Sequence, residues 1–174
     1  VIRATGTDAY NKYIDRLVPS LDSVGTLIIP DRNAALNADV AKIINGAEAI
    51  FLAGGDQAYY VNFWNDTPVE TAIYNAALRR APVGGSSAGL AVLGDVDFYA
   101  ALDTITSPEA LSNPLDDRIT SSLDSRFLSP NDSLVASSST VLRYMDNVIT
   151  DSHFMQRDRM GRLLTFMAVA DANG

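Results

Sequence analysis

The sequence predicts an α/β fold of three layers, α/β/α, with a mainly parallel sheet between the helices. Three observations predict it: short apolar runs that do not alternate, amphipathic stripes lying between those runs, and glycine-rich turns that close two of them. Non-alternating runs of Ile, Val and Leu suit strands buried on both faces. Strands separated by single helices imply right-handed crossovers, and therefore parallel pairing.

The elements follow in order. Val1-Ile2-Arg3-Ala4 is an apolar β-type run, and Tyr10, Tyr13, Ile14 and Leu17 then form an i, i+3, i+4, i+7 stripe. Residues 24–29 read as a strand. Val40, Ile43, Ile44 and Ala47 make a second stripe, residues 49–53 a further strand, and Tyr59-Tyr60-Val61-Asn62 the start of another helix. In Thr67-Pro68-Val69-Glu70 a threonine N-cap, a proline at N1 and a glutamate at N3 predict a capping box that opens a helix running to Arg80. Residues 82–84 read as a strand, Leu90-Ala91-Val92-Leu93 as a helix, and residues 147–150 as the last strand. Met160, Leu163, Leu164 and Met167 form a final helical stripe. Between Asp95 and Thr140 the pattern gives way to Ser, Asp and Pro, including Ser107-Pro108, Asn113-Pro114, Ser129-Pro130 and Ser137-Ser-Ser-Thr140. Long loops with short strands are expected there.

Composition narrows the function. The 174 residues, 47% hydrophobic and 20% charged, fit one domain spanning 1–174, since domains commonly hold about 100–200 residues. The apolar runs fall far short of the ~20 residues of a membrane-spanning helix, so no membrane partner is expected. With 21 acidic and 13 basic side chains the net charge is −8, which repels phosphate backbones and argues against nucleic acid as a partner. The absence of cysteine excludes disulfides and thiolate-bound metal, and a single histidine excludes a zinc site built from several imidazoles. No metal or cofactor is expected. Val1 opens the chain without an initiator Met and Gly174 ends it directly after a helical pattern, so the chain is expected to lack N- and C-terminal parts of a longer protein.

Three strand ends carry the chemistry. Pro82-Val-Gly-Gly-Ser-Ser-Ala-Gly-Leu90 holds Gly85-x-Ser87-x-Gly89 between a strand and a helix. A serine on such a sharp turn needs small neighbours, and the N–H of Ala88 just beyond it can stabilise an oxyanion. A plain strand-to-helix turn would have a similar composition. Phe51-Leu-Ala-Gly54-Gly55-Asp56-Gln57 closes another strand, and in a parallel sheet both loops leave at the same edge, where ligands bind. Gly55 can therefore supply a second oxyanion N–H and Gln57 can bond substrate. At Thr150-Asp151-Ser152-His153-Phe154, His153 is the one imidazole able to activate a serine hydroxyl. In an extended segment Asp151 would share its face and could contact His153 or a bound substrate. Arg157, Arg159 and Arg162 follow within six residues, and guanidinium forks suit carboxylates.

Together Gly54-Gly-Asp-Gln57, Gly84-Gly-Ser-Ser-Ala-Gly89 and Asp151-Ser-His-Phe154 with Arg157, Arg159 and Gly161-Arg-Leu163 resemble the family of cyanophycinases and dipeptidase E. These are serine hydrolases on a scaffold similar to class I glutamine amidotransferases. The resemblance implies Ser87 as nucleophile, His153 as general base, and Gly55 and Ala88 as oxyanion donors. It places Gln57, Asp151, Arg157, Arg159 and Arg162 in the substrate pocket. It further implies a peptide substrate rich in aspartate and arginine, and a homodimer. Ser152 stands where cyanophycinases often carry Gln, and Ser86 where Thr is common. The expectation is a serine exopeptidase that cleaves aspartyl or β-aspartyl bonds through an acyl-enzyme. Its rivals are a generic G-x-S-x-G esterase, which leaves Gly54-Gly-Asp-Gln57 unexplained, and a homologue that binds a peptide carboxylate without cleaving it.

Overall fold

A computed structural model describes residues 1–123, 127–128, 145 and 148–173. Four short strands, β1 (Ile2–Arg3), β2 (Leu27–Ile28), β3 (Ile50–Leu52) and β4 (Val83–Gly85), form one parallel sheet in the order β2-β1-β3-β4. Ladder bonds reach past the strand ends. Ile29 N–H donates to the Arg3 carbonyl at 2.9 Å, Ala53 N–H to Ile2 at 3.0 Å and Ser86 N–H to Leu52 at 3.1 Å. These bonds align the C-terminal ends of β1, β3 and β4 along one edge.

Helix α1 (Ala9–Leu17) follows β1, while α2 (Arg32–Ala35) and α3 (Ala38–Gly46) lie between β2 and β3. Between β3 and β4 run α4 (Gln57–Trp64) and α5 (Pro68–Leu78). Strand alternation sorts these helices. Ile50 and Leu52 are buried in the main core, which holds Ile44 of α3, Tyr60 and Trp64 of α4, and Val69 and Ile73 of α5. Phe51 faces the other way and meets Tyr10 of α1, with ring centroids 5.6 Å apart. The two faces are covered unequally, because α1 has no buried residue while α5 buries six. Trp64 ties α4 to the end of β2, donating its indole N–H to the Ile29 carbonyl at 3.1 Å.

The helix at Thr67 forms, but its expected capping box does not. Thr67 donates its hydroxyl to the Trp64 carbonyl, and Glu70 reaches past it to accept from Asp66 N–H at 2.6 Å and Leu128 N–H at 2.9 Å. Tertiary need redirects both side chains, since Leu128 brings a main-chain donor into the interior and Glu70 satisfies it. Glu70 is 1% exposed, and burial pushes its carboxyl up to about 7 despite the two donors.

Residues 95–123 are more ordered than their composition predicts. They contain α7 (Ser107–Ser112) and α8 (Asp117–Thr120), and Arg118 bridges Glu109 and Asp116. Phe98, Ile105, Ala110 and Ile119 pack with Phe166 and Val169 of α9 (Met160–Asn173) into a second apolar cluster. The expected strand at 147–150 contracts to one parallel bridge, Ile149 to Val96, with Asn147 outside the described residues. Ser129-Pro130 and Ser137-Ser-Ser-Thr140 also lie outside them.

The stripe on α9 is turned the wrong way by hydrophobic periodicity. Met160, Leu164 and Met167 are exposed, and the inward face carries Gly161, Arg162, Thr165, Phe166 and Val169. Arg162 enters the interior because Asp151 neutralises it there, and its guanidinium lies 5.4 and 5.5 Å from the Phe98 and Phe166 ring centroids. Among the described residues no helix is long and apolar enough to cross a membrane.

Candidate active site

Strand β4 hands over to a single helical turn, α6 (Ala88–Ala91), through Ser87. Ser87 is the N-cap of that turn and holds φ 51, ψ −117, a strained geometry for a residue with a side chain. The flanking glycines make the turn sterically feasible. A Cβ on Gly89 would collide with the Leu52 carbonyl, and one on Gly85 with the carbonyl of Gly89. Ser87 thereby stands up from the sheet edge instead of continuing the strand.

His153 approaches from the segment after the Ile149 bridge. Thr150 anchors this segment, donating its hydroxyl to the Leu90 carbonyl at 2.9 Å, with the Ala91 carbonyl 3.2 Å away. The chain then turns instead of extending. His153 has φ 53, and its carbonyl accepts from Arg157 N–H at 3.0 Å. The outcome is a contact of 2.8 Å between His153 Nε2 and Ser87 Oγ, with His153 exposed. A hydroxyl at this distance can pass its proton to a neutral imidazole.

Because the segment turns, Asp151 and His153 do not share a face as an extended reading requires. Asp151 Oδ1 accepts from Arg159 Nη1 at 2.9 Å and Arg162 Nη2 at 2.6 Å, and Oδ2 from Arg162 Nε at 2.8 Å. Arg159 also donates to the Ser152 carbonyl at 2.6 Å. All three side chains are nearly enclosed, at 5% exposure for Asp151, 10% for Arg159 and 4% for Arg162. Burial first, then the adjacent Arg162 charge, lowers the Arg159 pKa, with Asp151 opposing. The carboxylate that these two arginines hold is thus internal, and their cluster braces the turn bearing His153. Arg157 is exposed and stands outside the cluster.

The other sequence-selected residues sit along the same edge. Gly54 packs directly on the serine turn, where its missing Cβ would come 3.2 Å from Ser87 Cβ. Gly55 lies one residue further on, facing the Tyr60 hydroxyl, which donates to the Ala53 carbonyl at 2.6 Å. Burial pushes the Tyr60 phenol up to about 12, keeping it a donor. Asp56 caps α4 by accepting from Ala58 N–H at 2.9 Å, and Gln57 reaches the Phe98 carbonyl at 3.4 Å. Ala88 opens α6, where a first-turn N–H has no intrahelical acceptor.

Two further residues meet the site: Thr150, which opens the His153 element, and Tyr10, which the sequence reads only as part of a helical stripe. Tyr10 extends from α1 so that its hydroxyl lies 3.4 Å from Ser86 Oγ, beside the candidate nucleophile. Each takes its role from a segment distant in the chain, Tyr10 from Ser86 after β4 and Thr150 from the Leu90 and Ala91 carbonyls of α6.

A family model described as peptidase family S51 matches residues 3–112, more than half of the chain and including the Ser87 turn. Among curated proteins, the chain is 29% identical to a cyanophycinase from Geminocystis herdmanii over 160 residues, covering 88% of this chain and 50% of that one. It is 30% identical to a cyanophycinase from Trichormus variabilis over 148 residues, covering 84% of this chain and 42% of that one. The chain therefore spans about half the length of the curated relatives it matches. Among solved structures, a peptidase from an acI-B1 actinobacterium aligns with TM-score 0.45 and 19% identity, covering 62% of this chain and 47% of that chain.

Proposed function

The chain belongs to peptidase family S51, and from that premise we propose that it is a serine-type exopeptidase acting on aspartyl or β-aspartyl peptide bonds through an acyl-enzyme on Ser87. The observation that carries this reading is the 2.8 Å contact between His153 Nε2 and Ser87 Oγ on a strained turn. Ser87 Oγ attacks the peptide carbonyl while His153 Nε2 takes its proton. The same imidazole then delivers that proton to the departing amine. The N–H groups of Ala88 and Gly55 stabilise the oxyanion, and water releases the acyl group by the reverse of these steps. Gln57 and Arg157 hold substrate at the rim. Asp151, Arg159 and Arg162 act together beneath the site, keeping the His153 turn in place.

The substrate class draws on the cyanophycinase relatives and on the arginine-rich segment beside His153. A poly-aspartate peptide bearing arginine on its side chains is the test substrate. The reading expects release of a β-aspartyl-arginine dipeptide, detected by mass spectrometry and absent with Ser87→Ala. Calorimetric binding of that peptide without any cleavage would instead favour a non-catalytic binding protein. Turnover confined to short acyl esters would favour a generic esterase.

A further inference from the structure

Arg3 closes β1, which neighbours β3 in the sheet, and β3 neighbours β4. The guanidinium therefore emerges at the same edge as Gly54, Gly55 and Ser87. A continuous set of contacts links it to the serine turn. Arg3 Cζ lies 5.7 Å from the Tyr10 ring centroid, and the Tyr10 hydroxyl is 3.4 Å from Ser86 Oγ. Gly54 packs against both serines, its missing Cβ 3.8 Å from Ser86 Oγ and 3.2 Å from Ser87 Cβ.

The charge of Arg3 is the informative feature. Arg159 and Arg162 are pinned by Asp151, and Arg118 by Glu109 and Asp116. Arg3 has no carboxylate partner among the described residues, in a chain carrying 21 acidic side chains. Its Nε and Nη1 donate to the carbonyls of Thr5 and Thr7, at 2.5 and 3.0 Å. Those bonds fix the fork without neutralising it and leave Nη2 without a hydrogen bond among the described residues. Gly6, at φ 104, lies against the guanidinium where any side chain would collide, so the 5–7 loop is shaped around the charge. A half-buried guanidinium held over the Tyr10 ring, whose hydroxyl in turn meets Ser86 Oγ, suits a planar carboxylate.

We propose that Arg3, with the hydroxyls of Tyr10 and Ser86, forms a subsite for a substrate carboxylate on the β1 side of Ser87. This rests on the serine peptidase reading and adds the group that selects an acidic substrate. Arg157 then remains for a second charged group.

The test uses succinate as a dicarboxylate probe and succinamide as its neutral counterpart. Each is added while a fluorophosphonate labels Ser87 in the full 174-residue chain, and protection is expressed relative to each variant's own unprotected rate. Succinate should slow labelling and succinamide should not. Arg3→Met should raise the half-protecting concentration about ten-fold or more, and Tyr10→Phe about three-fold, as expected for losing charged and neutral hydrogen bonds. Because Arg3 also braces the 5–7 loop, Arg3→Lys is measured alongside, with thermal melting to confirm folding of all variants. Equal protection in wild type and folded Arg3 variants overturns the proposal. If wild type takes no label, the peptidase reading fails on its own account, and calorimetric titration with succinate decides the subsite separately. Binding lost in the Arg3 variants then supports it, and binding that is unchanged or absent in wild type overturns it.

Discussion

His153 Nε2 lies 2.8 Å from Ser87 Oγ across 66 residues of sequence, and both residues hold positive φ, 53 and 51. The backbone is bent at both ends of the contact. Strain of this kind costs about 1–3 kcal/mol per residue and persists where surrounding structure enforces it. Glycine is free of this cost, so Ser87→Gly should be more stable than Ser87→Ala by about 1 kcal/mol in urea unfolding, although both lose the Ser87 hydroxyl. Equal stabilities would show that the turn is relaxed.

Gly89 is a steric requirement of the turn, since its Cα packs on the Leu52 carbonyl. Gly89→Ala must push α6 away from β3. It should destabilise the fold by about 2–4 kcal/mol and misplace Ser87. A shift in melting temperature within error of wild type would contradict the close packing.

Asp151 compensates two enclosed arginines, and removing one partner of a buried ion pair commonly costs about 3–5 kcal/mol. Asp151→Asn should lose stability of that order. Arg162→Met, which removes a cation and keeps an apolar stem between Phe98 and Phe166, should lose less. Urea midpoints for the two variants provide the comparison, and the reverse ranking would contradict the assignment.

Much of this arrangement is legible in the sequence, and the exceptions have physical causes. The runs at 24–29, 49–53 and 82–84 each overlap a strand, and the apolar signature marks them although of these strands only β3 buries residues fully, β2 leaving Ile28 exposed and β4 staying half-buried. The serine turn is legible because its glycines answer a local steric demand. The inward face of α9 is not, because hydrophobic periodicity treats Arg162 as surface and the Asp151 contact reverses that. Thr67 and Glu70 match a capping box yet bond elsewhere, whereas Glu109 accepts from Thr106 N–H at 2.8 Å within a segment whose composition suggests loop. A local pattern does not reveal which distant donor will claim its carboxylate. Arg3 and Tyr10 stay hidden for a topological reason, since β1 neighbours β3 and not the next strand alone.

Glu70 predicts a pH dependence. Its folded pKa of about 7 lies above the ordinary 4.5, so the folded state favours the protonated acid. Its stabilising contribution is fully present below pH 4.5 and is lost as the pH rises through about 7. The shift corresponds to roughly 3 kcal/mol at 1.36 kcal/mol per pH unit. Urea unfolding from about pH 4 to about pH 8 should show wild type losing stability relative to Glu70→Gln across that window. Parallel curves for the two proteins would show that Glu70 does not titrate there.

The central claim is that Ser87 is an activated nucleophile with His153 as its base. Intact-mass analysis after exposure to a fluorophosphonate, which reacts with activated serines, tests it most directly. One adduct on the 174-residue chain is expected, absent in Ser87→Ala and abolished or strongly slowed in His153→Ala. An unlabelled wild-type chain, or an adduct that survives Ser87→Ala, would contradict the account.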